Sequence, residues 1–178
     1  PAVTLTPSAT DGRVDLTAGA AVFHDGEDDT AQAGGAATIT LHAGAIATDD
    51  IYNGSSVIIQ SGTGVGQERV ISDYVGATKV ATVSVAWTTQ PDNTSVFTVT
   101  SQVGQKIYDD GSGIGQAKIL EIQSTTVVKA VTEAPFFDTD AIPSGDWRLE
   151  QGYRDAWSTT RGWPRTATFH EGRLIVGG

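Results

Sequence analysis

Two glycine-rich stretches are the first candidates for chemistry. Gly62-Thr-Gly-Val-Gly-Gln67 and Gly111-Ser-Gly-Ile-Gly-Gln116 share one pattern and lie 49 positions apart. Clustered glycines let backbone N–H groups close around an anion such as a phosphate. The known phosphate fingerprints need Gly-x-Gly-x-x-Gly, or a Gly-Lys-Ser/Thr ending, at the start of a helix. Here the third glycine comes one residue early, the next residue is Gln, and a strand-like run follows. Glycines between two strands instead supply positive φ for hairpins and bulges. Gly62, Gly64, Gly66, Gln67, Gly111, Gly113, Gly115 and Gln116 are therefore expected to be structural.

The remaining chemical candidates are weaker. Asp25, Glu27, Asp28 and Asp29, the pair Asp49/Asp50 and the pair Asp109/Asp110 could offer oxygen ligands to Ca²⁺. None follows the twelve-residue loop with alternate ligands and a closing Glu, so all read as solvated loop acids. His24, His42 and His170 are scattered without ligand spacing, His42 on the polar face of its strand. The absence of Cys excludes disulfides, thiolate metal sites and cysteine nucleophiles. Glycosidase chemistry needs only a carboxylate pair, and nothing singles out one pair among 21 acidic residues. No catalytic residue, cofactor or metal is expected, and the chain reads as a non-enzyme. Trp147, Tyr153, Trp157 and Trp163 crowd together with Arg148, Arg154, Arg161 and Arg165. Such a cluster could form a glycan platform or a docking surface, since Trp, Tyr and Arg dominate interface hot spots. Packing within its own region or a subunit contact is the simpler reading.

These residues must be carried by strands. The 178 residues include 21 glycines, and turn signals recur at the spacing of an all-β barrel or sandwich. Period-2 alternation appears in Val3/Leu5, Val14/Leu16, Ala37/Ile39/Leu41, Ala81/Val83/Val85/Trp87, Phe97/Val99 and Leu120/Ile122. No helical stripe lasts three turns; one short helical turn fits near Tyr153–Trp157. The repeat extends past the glycines. Gly54 and Gly104 precede the two copies, and each copy leads through a turn and a Val-rich strand to an aromatic, Trp87 or Phe136. Two related β modules are expected, with 24–36 and 138–145 as surface linkers.

Charge narrows the partners. The formal net charge is −10, the wrong sign for tight binding to a phosphate backbone. No apolar run approaches the length needed to span a bilayer as a helix. The chain starts at Pro1, has no Met, and ends on Gly177-Gly178 after Leu174-Ile175-Val176, a strand with no partner further on. It reads as a piece of a longer chain.

The stretch Trp157 to Gly178 resembles a segment of podovirus tail nozzle proteins, also called tail tubular protein B. There an aromatic is followed by Gly-aromatic-Pro, a strand and Glu/Gln-Gly-Arg-Leu ending in glycines. The matching residues are Gly162, Trp163, Pro164, Phe169, Glu171, Gly172, Arg173 and Leu174. Thr10 to Phe23 is similar to the stretch that precedes a Val-Gly strand in the same family, and Val103-Gly-Gln-Lys-Ile107 is similar to that strand. The continuation through Gly115, Ala117 and Ile119 resembles a β-barrel named after the first catalytic cysteine half-domain of ubiquitin-activating enzymes, although no cysteine is present. The resemblance implies an all-β fold of two barrel-like modules, one inserted in the other: 1–30 with 101–150, interrupted by 31–100. Residues 151–178 would begin a propeller-like hub. It also implies a virion structural protein in a six-fold ring of its own copies, touching tail adaptor and tail fibre proteins while DNA passes through. The alternative is a receptor- or glycan-binding β module of a tail appendage; a carboxylate-pair depolymerase is a third option.

Overall fold

The computed structural model describes residues 1–150, 166–170 and 173–177. In chain order the strands are β1 (Leu5–Pro7), β2 (Arg13–Ala18), β3 (Glu27–Thr30), β4 (Ala33–Gly35) and β5 (Thr38–Thr40). Next come β6 (Ser56–Ser61), β7 (Glu68–Val75), β8 (Val80–Val83) and β9 (Val96–Val99). The chain continues through β10 (Lys106–Asp109), β11 (Gln116–Ile122), β12 (Val127–Ala134) and β13 (Trp147–Glu150), and then β14 (Thr166–His170) and β15 (Arg173–Gly177). No helix occurs among the described residues. The expected helical turn near Tyr153–Trp157 lies outside them.

Two antiparallel sheets carry the fold. The outer one runs β1-β2-β12-β11-β10-β13, and the inserted one runs β3-β9-β6-β7-β8-β5-β4. Each curls around its own apolar core. Leu5, Val14, Leu16, Phe23, Ile107, Ile119, Val128 and Trp147 fill the outer module, while Ile39, Leu41, Tyr52, Ile59, Ile71, Tyr74, Trp87 and Phe97 fill the inserted one. Alternation puts Val14 and Leu16 inside and Arg13, Asp15 and Thr17 outside.

The sequence pattern fails in phase at two places. Leu120 was expected to face inward with Ile122, yet Ala117 and Ile119 fill the core and Leu120 is exposed. A bulge between Ile119 and Glu121 in the β11–β12 pairing resets the phase there. Val85 was expected beside Ala81, Val83 and Trp87, but β8 ends at Val83 and Val85 is 64% exposed.

The two modules have one topology. Reading β4, β5, β6, β7, β8, β9 against β1, β2, β10, β11, β12, β13 maps one sheet order onto the other strand for strand. The details agree as well. Gly54 N–H donates to Ile71 O, and Gly104 N–H donates to Ile119 O, both at 2.9 Å. Ile71 and Ile119 each stand just before a register shift, the first between Ile71 and Asp73, the second between Ile119 and Glu121.

Closure differs from the linker reading. Segment 24–36 was expected to be a surface linker, and 1–30 to belong to the outer module. Instead β3 pairs with β9, and the same stretch continues as β4, which pairs with β5. One continuous segment thus bonds to both edges of the inserted sheet and shuts it into a barrel. Ala31 N–H to Ser95 O (2.8 Å) and Gln32 N–H to Thr40 O (2.9 Å) mark the hand-over. The acidic and Gly-rich composition concealed the strands because their stability comes from backbone pairing on a closed rim, not from apolar side chains. The outer module closes in a related way. Residues 138–145 were expected to be loop, but Ile142 and Leu5 exchange backbone bonds of 2.8 and 3.0 Å, and β13 then pairs with β10. At the C-terminal end β15 does have a partner, β14, with Phe169 opposite Leu174 and His170 opposite Arg173.

Gly34 tests the closure. A Cβ there would stand 2.2 Å from Pro91 O at an ordinary φ, so Gly34→Ala must push β4 off the rim. The expected cost is about 2 kcal/mol, with faster hydrogen exchange in β4 and β5 and unchanged exchange in β11 and β12. Equal loosening of both modules would refute this seam.

Candidate functional site

Both glycine motifs are hairpin connections. Gly62–Gln67 joins the antiparallel strands β6 and β7, and Gly111–Gly115 joins β10 and β11. Neither opens a helix, and several of the loop N–H groups are already engaged. Gly66 N–H donates to Ile59 O at 2.8 Å and Gln67 N–H to Gly64 O at 3.3 Å. Ser112 N–H donates to Asp109 Oδ1 at 3.0 Å and Gly113 N–H to Asp109 O at 3.2 Å. A phosphate would have to displace these bonds.

The glycines serve different needs in the two copies. Gly62 sits at φ +78°, and a Cβ there would fall 1.9 Å from Thr94 O. Gly115 is required for packing instead, because a Cβ would meet the Phe136 ring at 2.4 Å. The tip residues share one feature: Val65 is 62% and Ile114 54% exposed. The two glutamines diverge. Gln67 Nε2 donates to Gly64 O (3.0 Å) and Thr89 O (2.8 Å), and its Oε1 accepts from Thr88 N–H (2.7 Å) and Thr89 N–H (3.2 Å). It clamps the loop before β9. Gln116 lies within β11, and its amide donates to Glu133, which also pairs with Lys106 at 2.6 Å. Those contacts hold the Glu133 carboxyl below its usual range, the Lys106 bond first.

The acids expected in solvated loops divide into several groups. Glu27, Asp28 and Asp29 lie in β3, not in a loop. Glu27 and Asp29 both reach His42, Glu27 through a short contact to Nε2 and Asp29 at 3.3 Å from Nδ1. His42 therefore stands just past β5 and ties the closing strand down, a role its expected place on a polar strand face did not foretell. Burial, reinforced by Glu27, pushes the Tyr52 hydroxyl above its ordinary range, and Tyr74 up to about 12. Asp109 ends β10, is buried, and accepts from Gly111 N–H, Ser112 N–H and the Ser112 hydroxyl. Asp110 pairs with Arg148, whose guanidinium lies 4.5 Å from the Tyr108 ring centre. Asp25, Asp28, Asp49 and Asp50 are exposed. Among the described residues no group of three or more His, Cys, Asp or Glu is arranged to hold a metal.

The aromatic–Arg cluster loses its first ring to the core. Trp147 is 2% exposed, packs 6.4 Å from Phe23, and donates its indole N–H to Val3 O at 2.7 Å. Tyr153, Trp157, Gly162, Trp163, Pro164 and Gly172 lie outside the described residues, as do the side chains of Arg173 and Leu174.

A constellation that sequence reasoning missed lies where the modules join. His24 is buried, with Nε2 3.0 Å from Ser55 Oγ. The pair resembles a nucleophile and its base, but Gly26 N–H donates to Nδ1 at 3.0 Å. That bond places the ring proton on Nε2, which donates to Ser55 and cannot take its proton. Burial lowers the His24 pKa to about 4, against the opposing pull of Asp25, so the ring is neutral at ordinary pH. Beside it a cleft of about 610 Å³ runs between Val3 and Leu149 of the outer module and Asp50 and Ile51 of the inserted one. No sequence signal marks His24, apart from its place where the chain crosses into the insertion.

No protein-family model, curated protein or solved structure matches the chain.

Two substitutions separate the glycine roles. Gly62→Ala combines positive φ with a backbone collision and should cost well over about 2 kcal/mol. Gly113→Ala has φ +75° with nothing within 4 Å and should cost about 1 kcal/mol. Urea unfolding measures both, and equal losses would refute the distinction. Gln67→Ala should cost about 1–3 kcal/mol and speed amide exchange at Thr88 and Thr89; protected amides there would remove the clamp.

Proposed function

We propose that the chain is a structural subunit of a podovirus-type tail nozzle, acting through assembly and without bond-making chemistry. The observation that carries the reading is a nested pair of barrels whose chemically suggestive groups are engaged in internal structure. The glycine loops bond to themselves and to Asp109, His24 is fixed as a donor, His42 bonds to Glu27, and Asp110 pairs with Arg148. Further support comes from the resemblance of the Gly162-Trp-Pro and Gly172-Arg-Leu motifs, the second of which includes Arg173 and Leu174 of β15.

In this reading six copies surround a DNA conduit and contact adaptor and fibre proteins of the tail. A charge of −10 per chain gives 6 × 10, about sixty negative charges around the ring, screened beyond about 8 Å at physiological salt. Acidic walls repel the duplex and let it slide, whereas basic walls would retain it. Asp25, Asp28, Asp49 and Asp50 are among the exposed carboxylates able to act this way.

Electron microscopy of the parent assembly tests the structural role: a ring with the paired barrels on its wall is expected, and a lectin-like or fibre-tip location would overturn it. The charge idea has its own test. Asp25→Lys, Asp28→Lys and Asp50→Lys together should leave assembly intact, slow DNA ejection and retain duplex DNA at low salt. Unchanged ejection with no retained DNA would remove the lubricating role.

A further inference from the structure

The inserted barrel hangs on two crossing segments, 22–26 and 100–105. Phe23 is buried in the outer core, while the ring of the next residue, His24, packs edge-on to Tyr52 of the inserted core at 4.9 Å. One peptide unit thus passes from one core to the other. His24 N–H donates to Gln102 Oε1 at 3.0 Å, Gln102 N–H donates to His24 O at 3.3 Å, and Gln102 Nε2 donates to Val22 O at 3.2 Å.

The repeat explains why this residue touches both sides. Ser55 N–H donates to Tyr52 O, and Gln105 N–H to Gln102 O, each at 3.0 Å. These are corresponding turns, each leading into the first strand of its module's meander. His24 lies between them, its ring on Tyr52 and Ser55 and its backbone on Gln102.

We propose that His24 is an acid-operated latch: protonating its ring releases the inserted barrel from the outer one while both barrels stay folded. The imidazolium needs two acceptors, and Nδ1 faces the Gly26 N–H, a donor. Ser55 and Gln102 are neutral, and the Tyr52 hydroxyl stays protonated because burial raises its pKa. Asp25 is the charged neighbour on the latch segment, but it is exposed and bonded to the Ser101 hydroxyl at 2.7 Å. Glu27 bonds to His42 through Oε2 and makes no contact with the His24 ring, although its buried Oε1 has no hydrogen-bond partner.

His42 gives the contrast. It has the same local geometry, with Gly44 N–H donating to Nδ1 at 3.2 Å. Its ring, however, faces two carboxylates, Glu27 and Asp29. The acid response is therefore expected at the junction, where no carboxylate contacts the ring, and not at the barrel seam.

The sign follows from linkage. The ring pKa is about 4 in the closed state and near 6.5 once hydrated. The closed form is fully favoured above about pH 6.5 and loses that preference as pH falls through 4, by about 150-fold in the open-to-closed ratio at pH 4 and about 300-fold well below it.

The chain has no Cys, so Val65→Cys and Ile114→Cys allow spin labels on the two exposed hairpin tips. One narrow distance distribution is expected at about pH 7.5, at least doubling in width by about pH 4.5, with near-ultraviolet circular dichroism unchanged. In that labelled protein His24→Gln should abolish the response and His42→Gln should retain it. An unchanged distance, the same broadening in His24→Gln, or loss of the dichroism at the same midpoint would overturn the proposal. If His24→Gln folds poorly, NMR titration of the His24 ring in the labelled protein decides: it must gain its proton across the opening transition, and a ring still neutral there would overturn the latch.

Discussion

The structure depends on one constraint: a curled sheet has two edges, and each edge carries unpaired N–H and C=O groups that must be satisfied. In the inserted module one uninterrupted segment meets both needs, bonding first to β9 and then to β5. A closed barrel exposes no edge to a foreign strand. The same segment places Glu27 and Asp29 where His42 can reach them, and its first residues adjoin the junction with the outer module. A break in this pairing would open the barrel rim and unseat the residues that face Tyr52 and Tyr74.

The outer barrel solves the same problem with a later part of the chain. Ile142 bonds back to Leu5, the Trp147 indole bonds to Val3 O, and β13 then covers β10. The two modules thus share their strand order and the bulge after Ile71 or Ile119, but they differ in which terminal segment seals them. A bulge fixed at one place sets strand twist and register, so its recurrence keeps both barrels at similar curvature. The hairpin tips tolerate divergence because they are solvated. Gln67 can clamp a neighbouring loop while Gln116 joins a pair of charges.

Much of this was legible in the residues. Alternation located the core strands, and the doubled glycine pattern located both hairpins and the relation between modules. Composition misled wherever backbone pairing outweighs side-chain preference. Glu27-Asp-Asp-Thr30 and Ala33-Gly-Gly35 contain no strand signal, yet both are strands on a closing rim. Phase was lost at the bulge, where one extra residue turns Leu120 outward. The junction was invisible for another reason. His24 owes its role to Ser55 and Gln102, residues 31 and 78 positions away, and no local pattern encodes such contacts.

That separation of scales bears on how the molecule can move. Each module is a hydrogen-bonded sheet curled around an apolar core, so deforming it breaks many bonds together and costs a large share of its stability. The junction is held by a few bonds around one neutral ring and two turns. A load or a change of charge applied to the whole chain will therefore concentrate its effect there, as relative motion of stiff bodies. The buried histidine makes the weakest connection also the one most sensitive to protons, because Gly26 leaves its second nitrogen no acceptor. His42 accepts the same kind of backbone N–H bond at Nδ1 but has two carboxylates beside it. The same local geometry thus stands in two different electrostatic settings, and the difference lies in whether a carboxylate contacts the ring.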